Sequence, residues 1–215
     1  MSKFKFIVPK SIYILIYLSV ILNILRVVLF GKMSFIYVIW NIFLAFLPFV
    51  ISSILLNFEN NHKLRKTIFL VFGIIWLLLI PNSPYIVTDL IHIGEVRSVP
   101  VVFDAFLLFS SAWVGLLLGM YSINHMEQIL KKRYSQKIAS LLIFGSMVFV
   151  SFGIYLGRFL RFNSWDVFAS PMIFIRGVGE IFANKGDSIE AIFYSLLFYF
   201  FLAMSYGSWK ATQTK

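Results

Sequence analysis

Asp89 and His92 stand three residues apart, directly after Pro81-Asn82-Ser83-Pro84-Tyr85. A carboxylate beside an imidazole is the smallest set able to act as a general base, with Ser83 or a water as nucleophile. A second group, Arg158, Arg161 and Asp166, belongs to Gly157-Arg158-Phe159-Leu160-Arg161-Phe162-Asn163-Ser164-Trp165-Asp166. Guanidinium groups offer paired donors that match phosphate or carboxylate, and a neighbouring acid keeps them oriented. The candidate site is therefore Asp89 and His92 for catalysis, with Arg158, Arg161, Asn82, Tyr85 and Asp166 for substrate binding. The alternative is that each block caps its own helices and pairs its charges locally. Zinc would need a third protein ligand, from Glu95, Asp104 or Asp166, and the spacing signals none, so neither metal nor cofactor is assigned. The chain has no Cys, which excludes disulfides, thiolate catalysis and Cys-ligated clusters.

The elements that must carry these residues are membrane helices. Of 215 residues, 60% are hydrophobic and 25 are Phe, and the mean hydropathy is +0.89, far from the composition of a soluble domain. The sequence predicts an all-α, polytopic helical bundle in which residues 1–215 form a single integral membrane domain. Crossings are expected at about 11–30, 34–56, 67–80 with a broken continuation at 84–93, 101–123, 138–157 and 188–209. The N-terminal run lacks a small-residue cleavage site and is expected to be retained. The third run would span only about 21 Å of a hydrocarbon core about 30 Å thick. The break at Pro81 thus falls within the membrane or just under its headgroups, where irregular backbone needs protein or a water-filled cavity around it.

Net charge is +10, yet its distribution argues against nucleic acid as a partner. Lys3, Lys5 and Lys10 at the start, Lys63, Arg65 and Lys66, then Lys131, Lys132, Arg133 and Lys137, and finally Lys210 and Lys215 all fall on one side of the expected bundle. By the positive-inside rule that side is the cytoplasm, and both termini lie there. His62 and His125 are assigned to loops of the same side. The opposite side has Arg97, Arg158, Arg161 and Arg176 among most of the acids. Lys suits a topology signal beside anionic headgroups and Arg suits fixed pairing, so any chemistry is expected to face outward.

Two outer segments share a plan. In each, a helix meets an Asn-Ser pair, Asn82-Ser83 or Asn163-Ser164, and a Ser-Pro step, Ser83-Pro84 or Ser170-Pro171, supplies an N-cap and a first-turn proline. Gly94 and Gly186 are the expected stop signals. Two shared dipeptides are thin evidence for an internal repeat. A helix from Pro84 would align Tyr85, Asp89 and His92 on one stripe. A second, from about Pro171 to Asn184, reads as interfacial. Ser111, Gly115 and Gly119 give the fourth crossing a small-residue face, and Gly153 and Gly157 give one to the fifth. If those faces meet, Asp104 pairs with Arg161 as a structural charge pair. Arg26, on a stripe with Ser19 and Asn23, is expected to snorkel outward. Trp165 reads as an interface anchor, and Trp40, Trp76 and Trp113 as packed within the bundle.

Trp76, the block from Pro81 to Leu90, Asp104, the glycines of the fourth crossing and the block from Gly157 to Asp166 together resemble a bacterial predicted-membrane-protein family, domain of unknown function 1361. The resemblance covers about 68–171. It implies a multi-pass protein of the bacterial plasma membrane and brings no activity with it.

The leading expectation is an outward-facing Arg/Asp/His site that binds or processes an anionic, lipid-linked cell-envelope substrate, with membrane lipids as the other partners. Two alternatives stay open: a transporter using the broken third helix, and a non-catalytic assembly or scaffold subunit. Whether the chain is an enzyme is left open, and no protein partner is assigned.

Overall fold

The computed structural model describes residues 10–213, and among them every regular element is helical. Six helices are long and apolar enough to cross a membrane, which makes this a multi-pass membrane protein. The chain divides into two compact units, Met1–Lys132 and Arg133–Lys215.

The first unit holds α1 (Lys10–Phe30), α2 (Tyr37–Asn60), α3 (Lys66–Leu79), the single turn α4 (Asn82–Tyr85), a 3-10 stretch (Ile86–His92) and α5 (Val101–Arg133). Gly31, at φ 64°, ends α1 by taking the left-handed conformation that costs glycine least. The helix α5 runs well past the expected end at 123, because Met126, Ile129 and Leu130 continue its buried stripe after the mean hydropathy has fallen. The core lies where α1, α2, the 3-10 stretch and α5 meet, around Ile12, Phe35, Val38, Phe49, Ile86 and Leu107.

The break in the third crossing is real and differs in detail from expectation. Ser83 does not cap a helix beginning at Pro84; the chain is already helical at Asn82, and the Ser83 hydroxyl donates to the carbonyl of Ala45 at 2.9 Å. Pro48, three residues further along α2, brings no N–H and so leaves the Leu44 carbonyl without its helical donor. Ser83 serves Ala45, and Ser122 donates to the carbonyl of Pro48 at 3.0 Å. After Tyr85 the coil tightens to three residues per turn, which places Ile86, Asp89 and His92 on one face instead of the expected Tyr85, Asp89 and His92. Gly94, at φ 83°, closes the segment as expected.

The small face of α5 receives this corner. A Cβ on Gly115 would collide with the Ser83 carbonyl oxygen, and one on Gly119 would lie 3.2 Å from the Ser83 Cβ. The sequence assigned that face to the fifth crossing; in the structure the segment around Ser83, at the break in the third, packs onto it, and small residues allow the close approach.

The second unit comprises α6 (Gln136–Phe159), α7 (Asp166–Ala169), α8 (Pro171–Ala183) and α9 (Lys185–Thr212), with α6 and α9 as its main packed pair. Ser135 caps α6 by accepting from the N–H of Ile138 at 3.4 Å. Its core joins Tyr155, Leu156, Ile181 and Ala191. An aromatic row follows α6 into α9: Tyr155 stacks on Phe159 at 4.9 Å, and Phe159 lies 4.5 Å from Tyr194. Pro171 takes the first turn of α8 as expected, although Ser170 supplies no side-chain cap. Gly186 is not a stop signal. It lies in the first turn of α9, where its N–H donates to the Asn184 side chain at 2.9 Å.

Candidate functional site

In the first unit the candidates Asn82, Tyr85, Asp89 and His92 lie in and just before the 3-10 stretch. Asp89 is 1% exposed, and its Oδ2 accepts from Asn41 Nδ2 of α2 at 3.0 Å. His92 lies edge-on to Tyr37, with ring centroids 6.4 Å apart, and its Nδ1 meets Glu95 Oε1 at 2.6 Å. A carboxylate on one ring nitrogen fixes the orientation of an imidazole, as in general-base pairs. Asn82 donates to the carbonyl of Leu79 at 2.9 Å, closing off the end of α3. Tyr85 is half-buried, and its carbonyl accepts from the Thr88 hydroxyl at 2.7 Å. The sequence reading missed Tyr37 and did not link Asn41 to Asp89. The available signal was their spacing, four apart on one face of α2.

Arg26 does not snorkel. It is 1% exposed, donating from Nε to Asp104 Oδ1 at 2.8 Å, from Nη2 to Oδ2 at 3.2 Å and from Nη1 to the carbonyl of Lys32 at 3.1 Å. Its guanidinium also stands 4.2 Å over the Phe35 ring. Asp104 therefore spends both oxygens on Arg26, where the extrapolated helix faces had offered it Arg161. Ser19, on the same stripe of α1, bonds Ser111 of α5, while Asn23 donates within α1 to the carbonyl of Ser19 at 3.0 Å.

A second polar group lies among α2, α3 and α5. Trp76 Nε1 donates to Ser122 at 2.8 Å, and Ser122 lies 3.1 Å from Ser52. His125, expected in a loop, is inside α5 with Nδ1 at 3.2 Å from Ser52 and 3.3 Å from Ser53. Trp76 is packed as expected. Trp40 and Trp113 are not; both are about half exposed on outward faces of α2 and α5.

In the second unit, Arg158 is half-buried in the last turn of α6 and Arg161 is exposed just beyond it. Arg161 has φ 59°, and the next N–H, of Phe162, returns to the carbonyl of Leu156 at 3.2 Å. Asp166 Oδ2 accepts from the Asn163 backbone at 2.6 Å and from its side-chain amide at 3.3 Å, fixing the turn that leads into α7. Phe162 then lies on α8, edge-on to Phe174 at 5.3 Å. Gly177 permits this, since a Cβ there would be 2.7 Å from the Phe162 ring. Among the described residues no three His, Asp or Glu side chains come together in a way that could hold a metal ion.

A family model described as "Protein of unknown function (DUF1361)" matches residues 40–205. The matched stretch contains Asn41, Asp89, His92, Asp104, Arg158, Arg161 and Asp166 but not Arg26. No curated protein and no solved structure matches the chain.

Proposed function

The chain belongs to the DUF1361 family, and on that premise we propose that it is a bacterial plasma-membrane protein that binds an anionic, lipid-linked envelope substrate from the outer side. The observation that carries this reading is Arg161. An exposed guanidinium occupies a left-handed backbone position that glycine would fill without strain. Strain of that kind persists where the side chain is needed, and here the side chain is the one best suited to phosphate. Arg158, one turn earlier, would supply a second cation. His92, held by Glu95, has the form of a general base should the bound substrate also be processed. Both termini lie in the cytoplasm in this reading.

A scaffold or assembly role is the second reading. It is favoured by the internal engagement of Asp89 with Asn41, Asp104 with Arg26 and Asp166 with Asn163, which gives each acid a structural use.

Lipid extracts of a deletion strain separate the two. Substrate binding predicts that an anionic, lipid-linked species accumulates or is depleted, and that wild type but not Arg158→Gln restores its level. An unchanged lipid profile, or full restoration by Arg158→Gln, would sink the substrate reading and leave the scaffold role.

A further inference from the structure

The hairpin of α2 and α3 leaves an apolar groove along its closed end. Ile51, Ile54, Leu55 and Phe58 from α2 and Ile68 and Phe72 from α3 line it, all six hydrophobic. Phe58 and Phe72 are exposed, so the groove opens to the surroundings of the bundle. From Ile51 to Phe58 it follows α2 for about 10 Å at 1.5 Å per residue. At its mouth is the connecting loop, where Lys63, Arg65 and Lys66 are all exposed. Lys132, near the end of α5, reaches the same place, with Nζ 2.5 Å from Asn60 Oδ1. The nearest acid in the segment is Glu59.

We propose that this groove and loop form a binding site for an anionic phospholipid, with one acyl chain along the groove and the phosphate against Lys63, Arg65 and Lys66. Two independent features converge on that occupant. A groove made wholly of hydrocarbon on a membrane helix pair takes an acyl chain, since no polar group there would pair with anything else. Cations gathered where the helices end stand at headgroup depth, and basic clusters next to a crossing recruit anionic lipid. A zwitterionic lipid would make the same acyl contacts, but its ammonium would face the same cations and gain nothing from them. The Lys and Arg residues are those that assign this end to the cytoplasmic side, so the lipid belongs to the inner leaflet. The site thus stands apart from the outward candidates, and either can fail without the other.

Native mass spectrometry of the full-length protein, purified in mild detergent, tests this with three probes: phosphatidylglycerol, phosphatidylcholine of the same chains, and glycerol phosphate. Phosphatidylglycerol should be retained at least about tenfold over phosphatidylcholine, and excess glycerol phosphate should not displace it. The triple variant Lys63→Gln, Arg65→Gln, Lys66→Gln should lose the preference, whereas Ile54→Trp should reduce retention of both lipids by filling the groove. Arg97→Gln, on the opposite side, should leave the preference intact. Equal retention of the two lipids by wild type, an undiminished preference in the triple variant, or displacement by glycerol phosphate would each overturn the proposal. Should the triple variant fail to fold, Ile54→Trp alone decides between a lipid in this groove and one elsewhere.

Discussion

Arg26 holds Asp104 by two parallel hydrogen bonds between α1 and α5, at 2.8 and 3.2 Å, while its remaining nitrogen serves the Lys32 carbonyl that follows the Gly31 turn. The pair fastens the first crossing to the fourth long helix, and both side chains are fully enclosed.

Removing one partner strands the other as a buried charge, which costs far more than the pair itself contributes. Arg26→Ala and Asp104→Ala should each destabilise the protein by about 3–5 kcal/mol. Replacing both together, Arg26→Met with Asp104→Leu, should recover most of that loss. Unfolding midpoints in detergent check this. Additive losses in the double variant would show that the two residues do not act as a pair.

Glycine substitutions should separate the face that receives the Ser83 corner from glycines in open surroundings. Gly115→Ala drives a methyl into the Ser83 carbonyl and should cost about 1–3 kcal/mol, with Gly119→Ala costing less. Gly73 lies inside α3 with nothing within 4 Å of an added Cβ, so Gly73→Ala should stabilise by about 0.5–1 kcal/mol. The same unfolding measurement ranks all three, and a harmless Gly115→Ala would mean the corner does not press on α5.

The crossings and the break were legible in the sequence because hydropathy and proline act locally. What the break is for was not. Ser83 is buried and finds the acceptor for its hydroxyl at Ala45, 38 residues away in another helix. The polar stripe of Ser19, Asn23 and Arg26 was visible too, but its orientation was not. A stripe gives the face that must be satisfied, and only packing decides which of several partners satisfies it. Asp104 had more than one arginine within reach of a face argument and went to the one on α1. Trp40 and Trp113 failed for a different reason: lipid tails are as apolar as a core, so burial and lipid contact leave the same mark on a sequence. Tyr37 and Asn41 carried a readable spacing, four apart, but nothing in one chain's sequence ties that face to Asp89. The 3-10 tightening after Tyr85, which moved Tyr85 off the Asp89 face, has no local signal in the sequence.

Orientation is open to direct chemical test because the chain has no native Cys to interfere. Single cysteines at Lys63, Ser98, Lys132 and Lys185 should react with an impermeant thiol reagent in intact cells only at Ser98 and Lys185. The Lys132 to Asn60 contact already brings the loop after α2 and the end of α5 to one end of the first unit. Lys63 and Lys132 should therefore be protected together. Labelling at either position would reverse the inside assignment.

Arg161 offers the cleanest separation of side chain from fold. At φ 59° it occupies a conformation that costs a residue bearing a Cβ about 1–2 kcal/mol and glycine almost nothing. Arg161→Gly should therefore keep the Phe162 return bond to Leu156 and leave stability unchanged or raised by about 1 kcal/mol, while Arg161→Val should lower it. If the guanidinium binds an anionic substrate, the glycine variant will reach wild-type abundance in the membrane yet fail to complement a deletion strain. Full complementation at normal abundance would show that the arginine is dispensable. A drop in abundance would show instead that its side chain supports the turn, and the strained backbone would then need another cause.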